Sequence, residues 1–204
     1  DRVLFFEMPA AGEVLVNMTR VIGASGTDAA QLTRGELEAL EQTRQIVRFL
    51  RKRVPGFAAA TLIEVASQIG VRETRHIEGR YTLTAEDVLA GRAFDDSIAR
   101  GAFPIDLHSP DSAGLVLRKM APGASYGIPY RCLLPIDVAG LLVTGRAISA
   151  THEASASARL SPTCMALGQA AGLAAAMAAR RGLLPSRLNA AELRAELVKQ
   201  GAVV

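Results

Sequence analysis

The 204-residue chain is predicted to fold as an α+β protein, with antiparallel strands in its first two thirds and helices beside and after them. Three observations predict this. Short apolar or alternating runs at residues 3–6, 14–21, 104–108 and 116–120 have strand length, and turn residues often follow them. A long helical pattern over residues 33–54 ends at Pro55-Gly56. From Ser161 onward the chain reads as two helices.

Taken in order, residues 3–6 and 14–21 form a hairpin around a turn at residues 9–12. In its second strand Val14, Val16 and Met18 alternate with Leu15, Asn17 and Thr19, which leaves one face polar. Residues 23–30 are a loop. Thr33 with Glu36 reads as a capping box, and Leu37, Leu40, Ile46, Val47 and Leu50 supply the apolar stripe of the helix that follows. Residues 62–66 and 69–77 read as strands, and Thr84 opens a short helix through Asp87. Pro122-Gly123 is a turn before the segment 126–135. Residues 141–145 form a buried strand, followed by a small polar loop. A helix then spans residues 162–181, with Ser161 as N-cap and Pro162 in its first turn. Asn189 caps a terminal helix ending near Gly201.

Composition narrows the function classes. Half of the residues are apolar and the net charge is only +3. The basic residues Arg44, Arg48, Arg51, Lys52 and Arg53 share their helix with Glu36, Glu38 and Glu41, which is a solvated face rather than a nucleic-acid footprint. Cys132 and Cys164 belong to no CxxC pair, so neither a metal site nor a disulfide framework is expected. Residues 166–179 come closest to a membrane span, but Gln169 interrupts them and their small side chains suit helix packing. No membrane association is expected.

The chemistry concentrates in residues 141–172, LLVTGRAISATHEASASARLSPTCMALGQAAG. A strand ending at Gly145-Arg146 and a helix opening at Pro162 bring the positive end of a helix up to an electron-rich ligand. Ala166, Gly168, Ala170, Ala171 and Gly172 give that helix almost no bulk, so it packs tightly or lies against a flat ligand. This stretch resembles the C-terminal flavin-contacting segment of the FAD-dependent oxidoreductase family, related to glutathione-reductase-type and succinate-dehydrogenase-type flavoproteins, whose members end close to LLVAGRxISATHEAxxSxRxxPTCMALGQAAG. The likeness extends upstream through VNMTR (16–20), GVRETR (70–75), YTLTAEDV (81–88), FDDSIA (94–99), PIDLH (104–108) and IPYRCLLP (128–135).

The resemblance implies FAD as cofactor and a hydride transfer between an organic small-molecule substrate and the flavin. It implies a substrate-domain-like part, residues 1–135, whose antiparallel sheet roofs the flavin. Residues 136–204 are then the C-terminal strand and helices of an FAD-binding α/β domain. Pro162 and the backbone N–H groups of Thr163, Cys164, Met165 and Ala166 would face the flavin N1 and C2 carbonyl, where reduction places negative charge. At Gly145-Arg146 relatives commonly have Gly-Asp, so Arg146 would donate to ribityl oxygens or the diphosphate. Ser149 and Thr151 are either further donors or solvated loop residues.

Arg72, Glu73, Arg75 and Arg131 are the polar set for the substrate side. Arginine forks bind carboxylates in two-point fashion, and salt bridging to nearby acids is the competing role. Tyr126 and Tyr130 either face flavin and substrate or pack in the core. His152-Glu153 begins like HExxH, but Ala156 stands where the second histidine belongs. That leaves His152 as a proton donor or a loop-orienting group, with His76 and His108 structural. Cys164, at a helix N-terminus, would have a lowered pKa if exposed.

Flavoproteins of this type also carry a GxGxxG turn for the FAD diphosphate. None occurs here, and Gly23-Ala24-Ser25-Gly26 has the wrong spacing. The chain is therefore expected to be the C-terminal part of a longer enzyme, with an N-terminal FAD-binding half as its partner. An apolar face left exposed would allow a homodimer, and the expected location is the cytoplasm. The alternative is a non-catalytic substrate-binding or assembly module that holds no FAD without that half.

Overall fold

The computed structural model describes residues 4–108 and 115–204, with side chains of residues 108, 115 and 116 left aside. Residue 3 of the first expected strand lies outside them. The fold is α+β: five α-helices and six short strands among the described residues, the strands joined as three antiparallel pairs. The described residues divide into two compact units, residues 4–74, and residues 75–108 with 115–204.

In the first unit β1 (Leu4–Glu7) pairs with β2 (Val14–Asn17) in the register Phe5↔Val16 and Phe6↔Leu15. Gly12, at φ +82°, sits in the turn between them. Helix α1 (Ala29–Arg53) starts four residues before Thr33. The cap is Asp28, whose carboxylate accepts from Gln31 N–H at 2.9 Å, while the Thr33 hydroxyl donates to the Ala29 carbonyl inside the helix. The Thr33–Glu36 capping box therefore does not form. Glu36 instead accepts from Ile69 N–H at 2.7 Å. The helix ends at Val54, before Pro55, with Arg51, Lys52 and Arg53 in its last turn, where cations suit the helix dipole.

Residues 62–66 and 69–77 are not strands. The Glu36 carboxylate takes the Ile69 N–H, and the Gln42 amide likewise occupies both backbone groups of Arg20, at 2.8 and 2.7 Å. Helix side chains thus stand in for ladder partners. The buried face of α1 runs through Gly35, Ala39 and Leu50, and Leu37 and Leu40, expected in the stripe, are exposed. Gly35 allows the approach: a Cβ there would stand 3.1 Å from Ile69 Cδ1.

The second unit holds a core that includes Leu83, Val88, Ile98, Tyr126, Ile128, Leu133, Leu167 and Leu193. Helix α2 (Ala85–Leu89) opens with a capping box between Thr84 and Asp87. Strand β3 (Ser97–Gly101), unanticipated in the sequence, pairs antiparallel with β6 (Tyr126–Pro129) across a bulge at Ser97/Ala99. Strands β4 (Ile105–His108) and β5 (Leu115–Arg118) form the third pair.

Residues 141–144 are extended but join no ladder. Val143 N–H donates to the Leu133 carbonyl at 3.0 Å, so the run is tied down without a strand beside it. The expected polar loop contains helix α3 (His152–Ala158), capped by Thr151, with residues 154–158 all buried. Alanine and serine are small enough for a short helix to be enclosed on every side. Helix α4 (Ser161–Arg180) packs against β3 and against α5 (Ala190–Lys199), which is capped by Asn189. By length and composition alone α4 would cross a bilayer, yet Leu167, Ala170, Ala171 and Ala174 belong to the core.

Candidate functional site

The best-defined candidate site is the turn at residues 145–147 and the first turn of α4, which pack together. Gly145 adopts φ +70°, a conformation that side chains with a Cβ rarely take, and so lets the extended run 141–144 bend into the turn. Three consecutive carbonyls of the segment that follows are held by residues 76–83. Ala147 C=O accepts from Ile77 N–H at 3.1 Å, and Ser149 C=O accepts from Leu83 N–H at 3.1 Å. Between them Ile148 C=O meets His76 Nδ1 at 2.8 Å. A carbonyl oxygen only accepts, so Nδ1 carries the proton.

The donors available at α4 are fewer than the sequence suggests. Leu160 is the N-cap, without a side-chain bond, and the helix begins at Ser161 rather than Pro162. Cys164 N–H already donates to the Leu160 carbonyl at 2.9 Å. Met165 and Ala166, one and two places further in, have intrahelical acceptors by the same geometry, and Pro162 has no N–H. Of residues 162–166 only Thr163 keeps an N–H that the helix does not use. Met165 is 74 % exposed, and Gly168 and Gly172 follow on the same outer face with no atom within 4 Å of a Cβ placed on either.

Arg146 is exposed and lies close enough to Cys164 to act on its thiol. Burial pushes that thiol up and the guanidinium opposes the shift. The net direction is upward: the lowered value is expected only of an exposed thiol, and Cys164 is half-buried. Ser149 is 1 % exposed and its hydroxyl bonds that of Thr82 at 3.0 Å, so it supports the turn from within.

His152 is the first residue of α3, exposed, with the whole of that helix between it and α4. Arg131 forks onto Asp96 with bonds of 2.9 and 3.2 Å and lies over the Tyr81 ring at 5.0 Å. The salt-bridging role, rather than an open fork, is what its geometry displays. Arg72 belongs to the first unit and is exposed. Tyr126 is fully buried against Ser157, and Tyr130 donates to the Pro185 carbonyl at 3.0 Å. Burial pushes both phenols up to about 12. The side chain of His108 lies outside the described residues. Among the described residues no three His, Cys, Asp or Glu side chains gather as metal ligands.

A family model described as FAD dependent oxidoreductase matches residues 2–197, nearly the whole chain. The chain belongs to the FAD-dependent oxidoreductase family. No curated protein and no solved structure matches it. Membership makes FAD the cofactor of this family member. The turn and helix start provide an exposed guanidinium, an N–H outside the helix ladder and a helix face that carries two exposed glycines.

Sequence reading missed two groups in this oxidoreductase, and Gly79 beside His76, which it read as structural. Tyr81, Asp87 and Arg92 form a chain of bonds, Tyr81 hydroxyl to Asp87 at 2.7 Å and Arg92 to Asp87 at 2.9 Å. Asp96 neutralises Arg131. His76 and Gly79 brace the 145–149 segment, and a Cβ on Gly79 would stand only 2.6 Å from Ser149 Cβ. Asp87 alone carried a local signal, its place three residues after Thr84.

Proposed function

We propose that the chain is the C-terminal part of a flavin-dependent oxidoreductase that transfers a hydride between an organic small-molecule substrate and FAD. Residues 136–204 are its share of the FAD-binding domain. The observation that carries this reading is the pairing of the Gly145-Arg146 turn with the start of α4, within a chain whose family is FAD-dependent. Arg146 donates to ribityl or diphosphate oxygens. The unused Thr163 N–H and the positive end of α4 face the part of the ring that gains negative charge. Bound FAD supplies the redox chemistry. The protein's own residues hold and orient it, and Gly168 and Gly172 permit a flat group to approach the helix closely.

The diphosphate is held by an N-terminal half outside these 204 residues, since no GxGxxG turn is among them. That same lack favours a second reading: without such a half the chain is a non-catalytic substrate-binding or assembly module that holds no FAD.

The absorbance spectrum of the chain, taken after FAD is added and the excess removed, separates the two. Retained bands near ~370 and ~450 nm, roughly those of any bound flavin, support the first. A flavin-free spectrum means that this chain does not hold FAD by itself, and catalysis is then to be sought only in the longer parent.

A further inference from the structure

The geometry points to His76 as the positioning residue of the 145–148 turn: its Nδ1–H, donating to the Ile148 carbonyl, fixes where the turn presents Arg146. The carbonyls of Ala147, Ile148 and Ser149 point to the 76–83 segment, and backbone N–H groups of Ile77 and Leu83 serve the outer two. The middle one is served by a side chain, the His76 imidazole, at 2.8 Å. Neither Ile77 nor Leu83 can supply a second N–H, so removal of the ring leaves the Ile148 carbonyl without that donor. Ile148 is 2 % exposed, and a carbonyl in such surroundings is not readily rescued by solvent.

Apart from its packing against α4 and the buried Ile148 side chain, few backbone bonds hold the turn. Gly145 is intrinsically free at its start, and the residues before it make no ladder. On the other side Ser149 is clamped from both directions, its N–H to the Cys132 carbonyl at 3.0 Å and its carbonyl to Leu83. Between these two ends lie residues 145–148, where His76 and Ile77 bond the last two carbonyls. A change at His76 moves Arg146 without touching any ligand that Arg146 meets. The consequence for FAD rests on the function proposed above; the consequence for the turn does not.

Amide hydrogen exchange on the chain tests the turn, with His76→Phe as the loss of the donor and His76→Asn as the conservative variant, whose short amide offers an N–H near the place of Nδ1–H. His76→Phe should speed exchange of the Ile77 and Ser149 amides, which donate to the Ala147 and Cys132 carbonyls on either side of Ile148, by roughly ten-fold, the effect of about one lost hydrogen bond, while residues 190–199 in α5 stay at wild-type rates. His76→Asn should return the turn to within about two-fold of wild type. Unchanged exchange in His76→Phe overturns the inference, as does an equal rise in α5, which would mark a general loss of stability. Failure of His76→Asn to restore the turn overturns it too.

FAD titration of the same three proteins judges the reading beneath. If the wild type binds, affinity should follow the exchange order, and equal affinities would disconnect His76 from the flavin. If the wild type does not bind, FAD is not held by this chain alone, while the exchange result still decides the role of His76.

Discussion

Gly79→Ala is the sharpest test of how the site is built. The backbone at Gly79 is not in the left-handed region, so the substitution is a question of space alone. An added Cβ would stand 2.6 Å from Ser149 Cβ, 3.1 Å from Ser149 Oγ and 3.3 Å from the Arg131 carbonyl. Carbon atoms in contact sit about 3.5–4.0 Å apart, so one side must yield by roughly 1 Å. Ser149 cannot yield cheaply, because it is buried and both its backbone groups are bonded, to Cys132 and Leu83.

Overpacking of this kind costs about 1–3 kcal/mol, and losing one of those bonds adds about 1. Alanine's smaller unfolded-state freedom returns about 0.4–1. The expected net is a destabilisation of roughly 1–3 kcal/mol. All three tyrosines, 81, 126 and 130, lie in the second unit and the chain has no tryptophan, so tyrosine fluorescence during urea unfolding reports that unit alone. The midpoint should fall with the slope unchanged. A midpoint equal to or above wild type would refute the claim that Gly79 is required for close approach.

Three further outcomes follow from the same structure. Gly168→Ala, at an exposed helical position with empty space around it, should stabilise the chain by about 0.5–1 kcal/mol in the same assay, and a loss would show an unseen neighbour. Burial works against the Asp87 charge, but bonds from Tyr81, Thr84 N–H and Arg92 outweigh it and hold the carboxyl below its ordinary value. Its stabilisation is thus present above about pH 4, the unfolded value, and is lost as pH falls through the depressed folded value. Asp87→Asn should flatten that part of the stability–pH curve, and an unaltered slope would contradict the assignment. Arg146→Ala removes the group that opposes the upward shift of Cys164, so alkylation of Cys164 at a pH of about 8 should slow. Cys132, buried and pushed up to about 12, stays silent, and an unchanged or faster rate would sever Arg146 from the helix start.

Elements marked by local chemistry were legible in the sequence. The hairpin turn, the stop before Pro55, the Thr84 and Asn189 caps and the length of α4 all rest on residues within a few positions of one another. What failed depended on partners distant in the chain. Residues 69–77 have strand-like composition, but a glutamate 33 positions away takes the Ile69 N–H. Residues 154–158 alternate alanine and serine and show no apolar stripe, because the helix they form is buried all round. The site divides in the same way. Gly145, Arg146 and the α4 start could be selected from one contiguous stretch, whereas His76 reaches Ile148 across 72 positions and left no local trace.

Helix α4 shows how far the two kinds of information differ. Its inner face, with Leu167, Ala170 and Ala174, is explained by the core it fills. Its outer face is not, since an exposed glycine within a helix costs about 1 kcal/mol relative to alanine and Gly168 and Gly172 relieve no clash within this chain. Contrast Gly79, where the same residue type is demanded by an atom 2.6 Å away. Stability of the 204 residues therefore accounts for Gly79 and argues against Gly168 and Gly172. If Gly168→Ala stabilises the chain and also weakens its hold on FAD, those glycines are maintained for what approaches the helix. If it stabilises the chain and leaves FAD binding unaltered, the flat face of α4 has no part in holding the cofactor.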